Sequence, residues 1–149
     1  MFKILKKATA VILALSSLLL LCSCGQPKEL AIDNHNWSFV YAQNRDGEVV
    51  CCNRDNETVY KSAQVVDFLC RAKGGIFIVS NKETEDTFAF QYLPNQENPD
   101  SFIYDIRYIT ENETLTGVAV VSKTDNENGG YTMVITIEGY SIYFNGSAK

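Results

Sequence analysis

The sequence predicts an all-β domain, an antiparallel up-and-down meander of about eight or nine strands that closes into a small barrel. Apolar and polar residues alternate along much of the chain from Trp37 to Phe144, which is the period of strands with one buried face. Turn sequences rich in Gly, Asn and Asp separate these runs, with no crossover helix predicted between them. Closing such a meander removes exposed sheet edges. A two-sheet β-sandwich is the alternative, because periodicity does not show whether the first strand pairs with the last.

The first 23 residues have the three parts of a secretory signal peptide. Lys3, Lys6 and Lys7 precede an apolar run over residues 8–21, and small residues follow it. The run is shorter than the roughly 18 to 20 residues that a membrane-spanning helix needs, and it ends in a polar segment instead of basic stop-transfer residues. Residues 1–23 are therefore predicted to direct export and to be cleaved off.

The signal segment ends in Leu21-Cys22-Ser23-Cys24. This tetrapeptide resembles the lipobox of bacterial lipoproteins, in which an aliphatic residue and two small residues precede the modified Cys. The resemblance implies that Cys24 is acylated and becomes the mature amino terminus, which anchors the protein on the extracytoplasmic face of the cell membrane. Cys22 fits less well, because Leu21 would then stand where the motif has Gly, Ala or Ser.

Removal of the signal peptide leaves enough chain for one domain. Residues 24–35 are mostly polar and are predicted to be a lipidated tether, and residues 36–149 are predicted to be the β-barrel domain. All 18 acidic residues follow Cys24, whereas three of the 13 basic residues precede it, so the mature chain carries a net charge of about −8. This charge argues against nucleic acid as a partner.

The first two predicted strands form a hairpin. Trp37, Phe39 and Tyr41 alternate with smaller residues, which predicts that these three rings face inward. The run ends at residues 44–47, whose Asp-Gly pair is a hairpin signal. A second strand is therefore expected at about residues 48–53.

Residues 62–72 fit two structures. Val65, Val66 and Leu69 are compatible with one face of a short helix that ends at a glycine pair. A strand is favoured, because the apolar residues at the even positions of 66–72 alternate with mostly charged ones and a β-branched and aromatic run starts straight after the glycines.

The later strands show the alternation most clearly. Each contributes a set of inward-facing residues: Phe88, Phe90 and Tyr92; Phe102, Tyr104, Ile106 and Tyr108; Tyr131, Met133, Ile135 and Ile137; and Tyr140, Ile142 and Phe144. Residues 115–122 are apolar at odd and even positions alike, which predicts a strand that is buried on both faces or sharply curved at Gly117. A turn is predicted at residues 128–130, and Tyr60 and Tyr143 are expected at the surface.

The mature domain resembles the short lipocalin-like (calycin) domains of bacterial lipoproteins. The resemblance lies in Trp37 at the start of the first strand, the up-and-down meander and the aromatic interior. His35 departs from it, since it stands two places before the Trp, where lipocalins have Gly. The resemblance implies a barrel with ligand binding in its mouth.

Strand parity places aromatic rings in the interior, and six of them are predicted to line a ligand cavity: Trp37, Phe39, Phe88, Phe90, Tyr104 and Tyr108. Because these rings offer apolar surface and no charge, the predicted ligand is a small apolar or amphipathic molecule. A barrel of about eight strands can also be filled by its own side chains. A protein-interaction module on the cell surface is then the alternative function.

No catalytic, cofactor or metal site is predicted. His35 is the single histidine of the chain and is expected to be solvated at the end of the tether, where it is a poor candidate for the base of a nucleophilic pair. One histidine and the adjacent Cys51-Cys52 pair lack the spacing of a tetrahedral metal site. Asp67 and Asp105 alternate with the inward-facing residues of their strands, so their carboxylates are predicted to point outward. An enzyme of unknown class is therefore the third hypothesis, after ligand binding and protein interaction.

Three cysteines remain in the domain. Cys51 and Cys70 share the parity of inward-facing residues, whereas Cys52 is predicted to face outward. An exported protein permits disulfides, so a bridge between Cys51 and Cys70 is predicted as one possibility. Free buried thiols are the other.

Overall fold

The computed structural model describes residues 31–97, 102–124 and 130–149. The described residues form two single-turn 3-10 helices, Ile32–Asn34 and Arg54–Asn56, and ten strands. The strands are β1 (His35–Gln43), β2 (Val49–Cys52), β3 (Gln64–Val65), β4 (Phe68–Lys73), β5 (Ile76–Asn81), β6 (Thr87–Pro94), β7 (Ile103–Ile109), β8 (Thr114–Lys123), β9 (Tyr131–Ile137) and β10 (Tyr140–Ala148). The predicted signal peptide, Cys24 and most of the predicted tether lie outside the described residues.

All ten strands belong to one sheet that curls into a half-barrel. Their order is β3-β2-β1-β10-β9-β8-β7-β6-β5-β4, and every neighbouring pair is antiparallel except β2 and β3. The first strand of the meander pairs with the last, with His35 opposite Ala148. The predicted all-β, barrel-like meander is confirmed, with ten strands instead of eight or nine.

The segment 62–72, which fitted either a helix or a strand, contributes β3 and all of β4 except its last residue. β4 packs beside β1 without joining it by a hydrogen-bonded ladder in the described part of the chain. The rings of Phe39 and Phe68 meet edge to face there, with centroids 4.9 Å apart. Side-chain packing between β1 and β4 therefore closes the curve of the sheet. β2 and β3, which follow β1 in the strand order, extend beyond this contact.

The inward-facing residues of β8, β9 and β10 build the centre of the core. Ala119, Val121, Met133, Ile135 and Phe144 are at most 1% exposed. Residues 118 and 120 of β8 are about 40% exposed, so β8 is buried on one face only. The prediction that residues 115–122 form a strand buried on both faces is therefore wrong.

A β-bulge in β1 changes which side chains point inward. Trp37 and Phe39 are buried as predicted, but the register with β10 shifts between Phe39 and Tyr41. Ala42 is consequently buried, and Tyr41 lies on the outer side, stacked on Tyr143 at a centroid distance of 4.3 Å. The prediction that Tyr41 faces inward is wrong, because an extra residue in one strand reverses the alternation after it.

The 3-10 helix Ile32–Asn34 closes one end of the half-barrel, which we call the closed end. Ile32 is 1% exposed, and its carbonyl accepts a hydrogen bond of 2.9 Å from the indole Nε1 of Trp37. The carboxylate of Asp33 accepts hydrogen bonds from the hydroxyl of Tyr92 and from the backbone N–H of Gly74. These contacts tie the start of the domain to β6 and to the turn between β4 and β5.

His35 belongs to the domain instead of the tether. It is 3% exposed, its Nδ1 lies 2.9 Å from the carbonyl of Ala31, and its ring packs on Tyr131 at a centroid distance of 4.0 Å. The expectation of a solvated histidine is therefore wrong, and residues 32–35 pack as part of the barrel. Because the sequence before Trp37 is mostly polar, the turn at Ile32–Asn34 and the burial of Ile32 were not predicted.

Candidate ligand cavity

An apolar cavity of about 450 Å³ lies towards the end of the half-barrel opposite the closed end. We call this the open end; it carries the turns at residues 44–48, 82–86 and 138–139. The inner part of the cavity is formed by five buried residues: Phe39, Ala42, Val79, Phe90 and Phe144. Only apolar atoms face the space.

Aromatic packing holds the inner wall in place. Phe144 is 1% exposed and its ring meets Phe77 edge to face at 5.0 Å. Phe39 meets Phe68, another lining residue, across the junction of β1 and β4. Such edge-to-face pairs favour fixed ring positions. Filling the cavity by rotation of these rings would therefore break packing beneath them.

The cavity reaches solvent between three partly exposed side chains, which we call the rim. Val50 on β2 is 40% exposed, Phe88 on β6 is 38% exposed and Tyr140 on β10 is 48% exposed. Cys51 and Ile142 complete the lining between the rim and the inner wall. Six strands of the half-barrel thus contribute to one site.

The bulge in β1 explains why space remains at this level. With unbroken alternation, the ring of Tyr41 would point inward from β1, as the sequence alone predicts. After the register shift the inward position is occupied by Ala42, which is 8% exposed and lines the cavity. A methyl group thus replaces a phenol ring in the wall.

Three of the six predicted cavity residues line this cavity: Phe39, Phe88 and Phe90. Tyr108 lies beside them, with its ring 5.4 Å from that of Phe90. Trp37 and Tyr104 are buried instead towards the closed end, where the ring of Tyr104 meets Tyr92 at 5.8 Å. Two of the six residues are therefore inward-facing but lie at another height in the barrel.

The sequence prediction missed eight lining residues, namely Ala42, Val50, Cys51, Phe68, Val79, Tyr140, Ile142 and Phe144. Most were recognised as inward-facing, and the missing information was their height along the barrel. Phe102, in contrast, was predicted to face the interior and is 37% exposed. It lies before the first residue of β7, so strand alternation does not apply to it.

The three cysteines of the domain are free thiols in this structure. Cys51 lines the cavity and Cys70 is half-buried on the inner face of β4. Cys52 points to the opposite face of β2, as predicted, but it is fully buried there instead of solvated. Tyr60, from the connection between β2 and β3, lies over that face against Tyr41. A bridge between Cys51 and Cys70 stays a prediction, tested by peptide mapping without reduction.

The Cys70 thiol and the Tyr92 hydroxyl are uncharged while they keep their protons, so the fold should lose stability at high pH, where these protons are lost. Burial raises the pKa of Cys70 to about 12, although a hydrogen bond with the Phe39 backbone lowers it. Burial and the hydrogen bond to Asp33 also raise the pKa of Tyr92. Between about pH 9 and 12 the unfolded thiol loses a proton that the folded thiol keeps, so unfolding becomes more favourable as the pH rises.

We therefore expect the free energy of unfolding to fall above pH 9, where the Cys70 thiol approaches a contribution of about 1.4 kcal/mol per pH unit, and Tyr92 adds to the fall only above about pH 10. Urea unfolding at pH 8, 9 and 10 measures this. The Cys70→Ala variant should show a shallower fall between pH 9 and 10. Equal free energies of unfolding at pH 8 and pH 10 would contradict the assignment of buried, protonated thiols.

No family model, curated protein or solved structure matches the chain. Within residues 31–97, 102–124 and 130–149, no group of three or more His, Cys, Asp or Glu side chains is placed to hold a metal ion. The same residues contain no helix with the length and apolar character needed to cross a membrane.

Proposed function

We propose that this protein is an extracytoplasmic, lipid-anchored binding protein whose β-barrel domain holds one small apolar or amphipathic ligand. The observation that carries the proposal is the cavity of about 450 Å³ with an entirely apolar wall. Its volume lies within the roughly 300 to 1,000 Å³ of small-molecule sites. The lipobox-like sequence ending at Cys24 supports the anchor.

The chemistry of the wall limits the part of the ligand that enters. A buried polar group without a hydrogen-bond partner costs about 1 to 3 kcal/mol, and this wall offers no polar partner. An alkyl or aryl group gains about 25 cal/mol for each Å² of apolar surface removed from water. The inserted part of the ligand is therefore hydrocarbon, and any polar head group stays at the rim.

The position of the tether supports a ligand that comes from outside the membrane. The described chain enters the fold at Ala31, at the closed end, seven residues after Cys24. Seven extended residues span at most about 25 Å. A lipid on Cys24 would therefore hold the closed end near the bilayer and direct the rim away from it.

Binding of 1-octanol tests the proposed function, because it has an alkyl chain and an uncharged head. The protein is purified as the cell processes it and held in nanodiscs of neutral phosphatidylcholine. Octanol should raise the Tm measured by circular dichroism, since a ligand at 100 times its Kd stabilises the folded state by about 2.7 kcal/mol. The shift should disappear in Ala42→Phe, whose ring would occupy the cavity.

Ala89→Phe is the matched control. Ala89 lies on the exposed outer side of β6, between the lining residues Phe88 and Phe90, and does not line the cavity. This variant should keep the full Tm shift with octanol. Equal shifts in wild type, Ala42→Phe and Ala89→Phe would locate octanol elsewhere and contradict the proposal.

A further inference from the structure

We propose that the natural occupant of the cavity is a cationic amphiphile, with a hydrocarbon body in the cavity and a positively charged head at the rim. This inference rests on the proposed function and narrows its ligand class. The observation that carries it is the arrangement of carboxylates around the rim.

Each rim residue has an exposed carboxylate two positions before it in the chain. Glu48 precedes Val50, Asp86 precedes Phe88, and Glu138 precedes Tyr140. These three acidic residues come from three different turns of the open end, each next to a strand that contributes a rim residue. The carboxylates of Glu48 and Asp86 each accept a hydrogen bond within their own turn, from Asn44 and Thr84. Further exposed carboxylates on the same turns belong to Asp46, Glu83 and Glu85.

Few cations oppose these carboxylates. Lys82 forms an ion pair with Asp67, with its Nζ 2.9 Å from a carboxylate oxygen. Among the described residues this is the single ion pair. Arg45 packs against Gly139, beside Glu138, and supplies the other positive charge on these turns. Lys61, from the connection between β2 and β3, is exposed and lies near Glu48 and Val50. These three cations stand against seven carboxylates, the six on the turns and that of Asp67. The mouth of the cavity therefore has an excess of negative charge.

An apolar cavity with a negative mouth distinguishes between amphiphiles that share one hydrocarbon chain. A positively charged head can stay at the rim close to several carboxylates, whereas a sulfate or carboxylate head is repelled by the same groups. Each exposed pair contributes weakly, but the contributions of several carboxylates add up at low salt, because the screening length is longer than about 10 Å below about 0.1 M salt. The hydrocarbon wall supplies affinity and the rim supplies selectivity.

The experiment compares two octyl ligands of opposite charge below their micelle concentrations, octyltrimethylammonium and octyl sulfate. Both are titrated against the nanodisc-held protein, with Ala42→Phe as the baseline for effects outside the cavity. At about 20 mM salt we expect octyltrimethylammonium to bind at least about fivefold more tightly, and at about 0.5 M salt we expect the two affinities to converge. This salt comparison uses the wild-type protein, so it does not depend on the folding of a charge variant.

A charge variant tests the same inference at the residues named. The triple change Glu48→Gln, Asp86→Asn and Glu138→Gln should reduce the preference for the cation to less than about twofold. Its matched control removes three exposed carboxylates on other connections of the chain: Glu57→Gln, Glu97→Gln and Glu113→Gln. The control should keep the preference, because it changes the net charge equally without changing the mouth.

The outcomes separate this inference from the proposed function. Octanol binding that is lost in Ala42→Phe, together with equal affinity for the two charged ligands or tighter binding of octyl sulfate, would overturn the cationic ligand and leave the cavity as a binding site. A preference for the cation that survives the rim variant would also overturn it. Absence of any Ala42-dependent Tm shift with octanol would overturn the proposed function itself.

Discussion

Replacement of Gly117 by Ala should destabilise the fold by about 3 kcal/mol, the largest effect expected of any single methyl group in the described chain. Gly117 lies in β8 between Ile106 of β7 and Ile137 of β9. A Cβ at this position would lie 2.2 Å from the carbonyl oxygen of Thr136 and 2.9 Å from the Cβ of Ile137. The oxygen belongs to a paired strand, so it can give way only by distorting the ladder.

The measurement is urea or thermal unfolding of Gly117→Ala beside Thr116→Ala. Thr116 is exposed on the neighbouring position of β8, and its truncation should cost less than about 1 kcal/mol. We expect Tm to fall by about 10 °C in the glycine variant and by a few degrees at most in the control. An unchanged Tm for Gly117→Ala would show that β8 and β9 do not approach each other as closely as in this structure.

Replacement of Cys24 by Ser should release the protein from the membrane fraction or leave it unprocessed, with complete loss of acylation. The reason is chemical, because in the proposed lipid anchor the diacylglycerol would attach through the thiol of Cys24, and serine has no thiol. Cell fractionation and incorporation of labelled fatty acid measure the effect. Cys22→Ser is the control, since a small residue at that position keeps the motif. Continued labelling of Cys24→Ser, with membrane fractionation as in wild type, would contradict the anchor.

Strand identity and facing direction were largely predictable from the sequence, because alternation reports directly on burial. In β9, Met133, Ile135 and Ile137 are buried as predicted, and in β10 Phe144 is buried as predicted. Alternation failed at Tyr41, where a bulge inserts one residue without any Gly or Pro to mark it. A local two-residue period cannot report an insertion that is defined by the partner strand.

The composition of the cavity was less predictable than the strands, since three of its eleven lining residues were predicted, and the reason is a different physical one. Parity assigns a side chain to a face, but height along the barrel depends on the register between strands that are far apart in sequence. Phe39 and Trp37 lie on the same face of β1, yet Phe39 lines the cavity and Trp37 bonds to Ile32 at the closed end. The pairing of β1 with β10 shows which residues share each level, with Phe144 opposite Phe39 and Gly146 opposite Trp37.

The central claim, that the apolar cavity accepts hydrocarbon, is tested most directly by crystals of the protein soaked with 1-bromooctane. Bromine is located by its anomalous scattering, which reports a position independently of any stability effect. The structure predicts a bromine peak in the cavity bounded by Phe39, Phe90 and Phe144, and no such peak in Ala42→Phe crystals. An interior closed by its own side chains, or a peak that persists in Ala42→Phe, would contradict the claim.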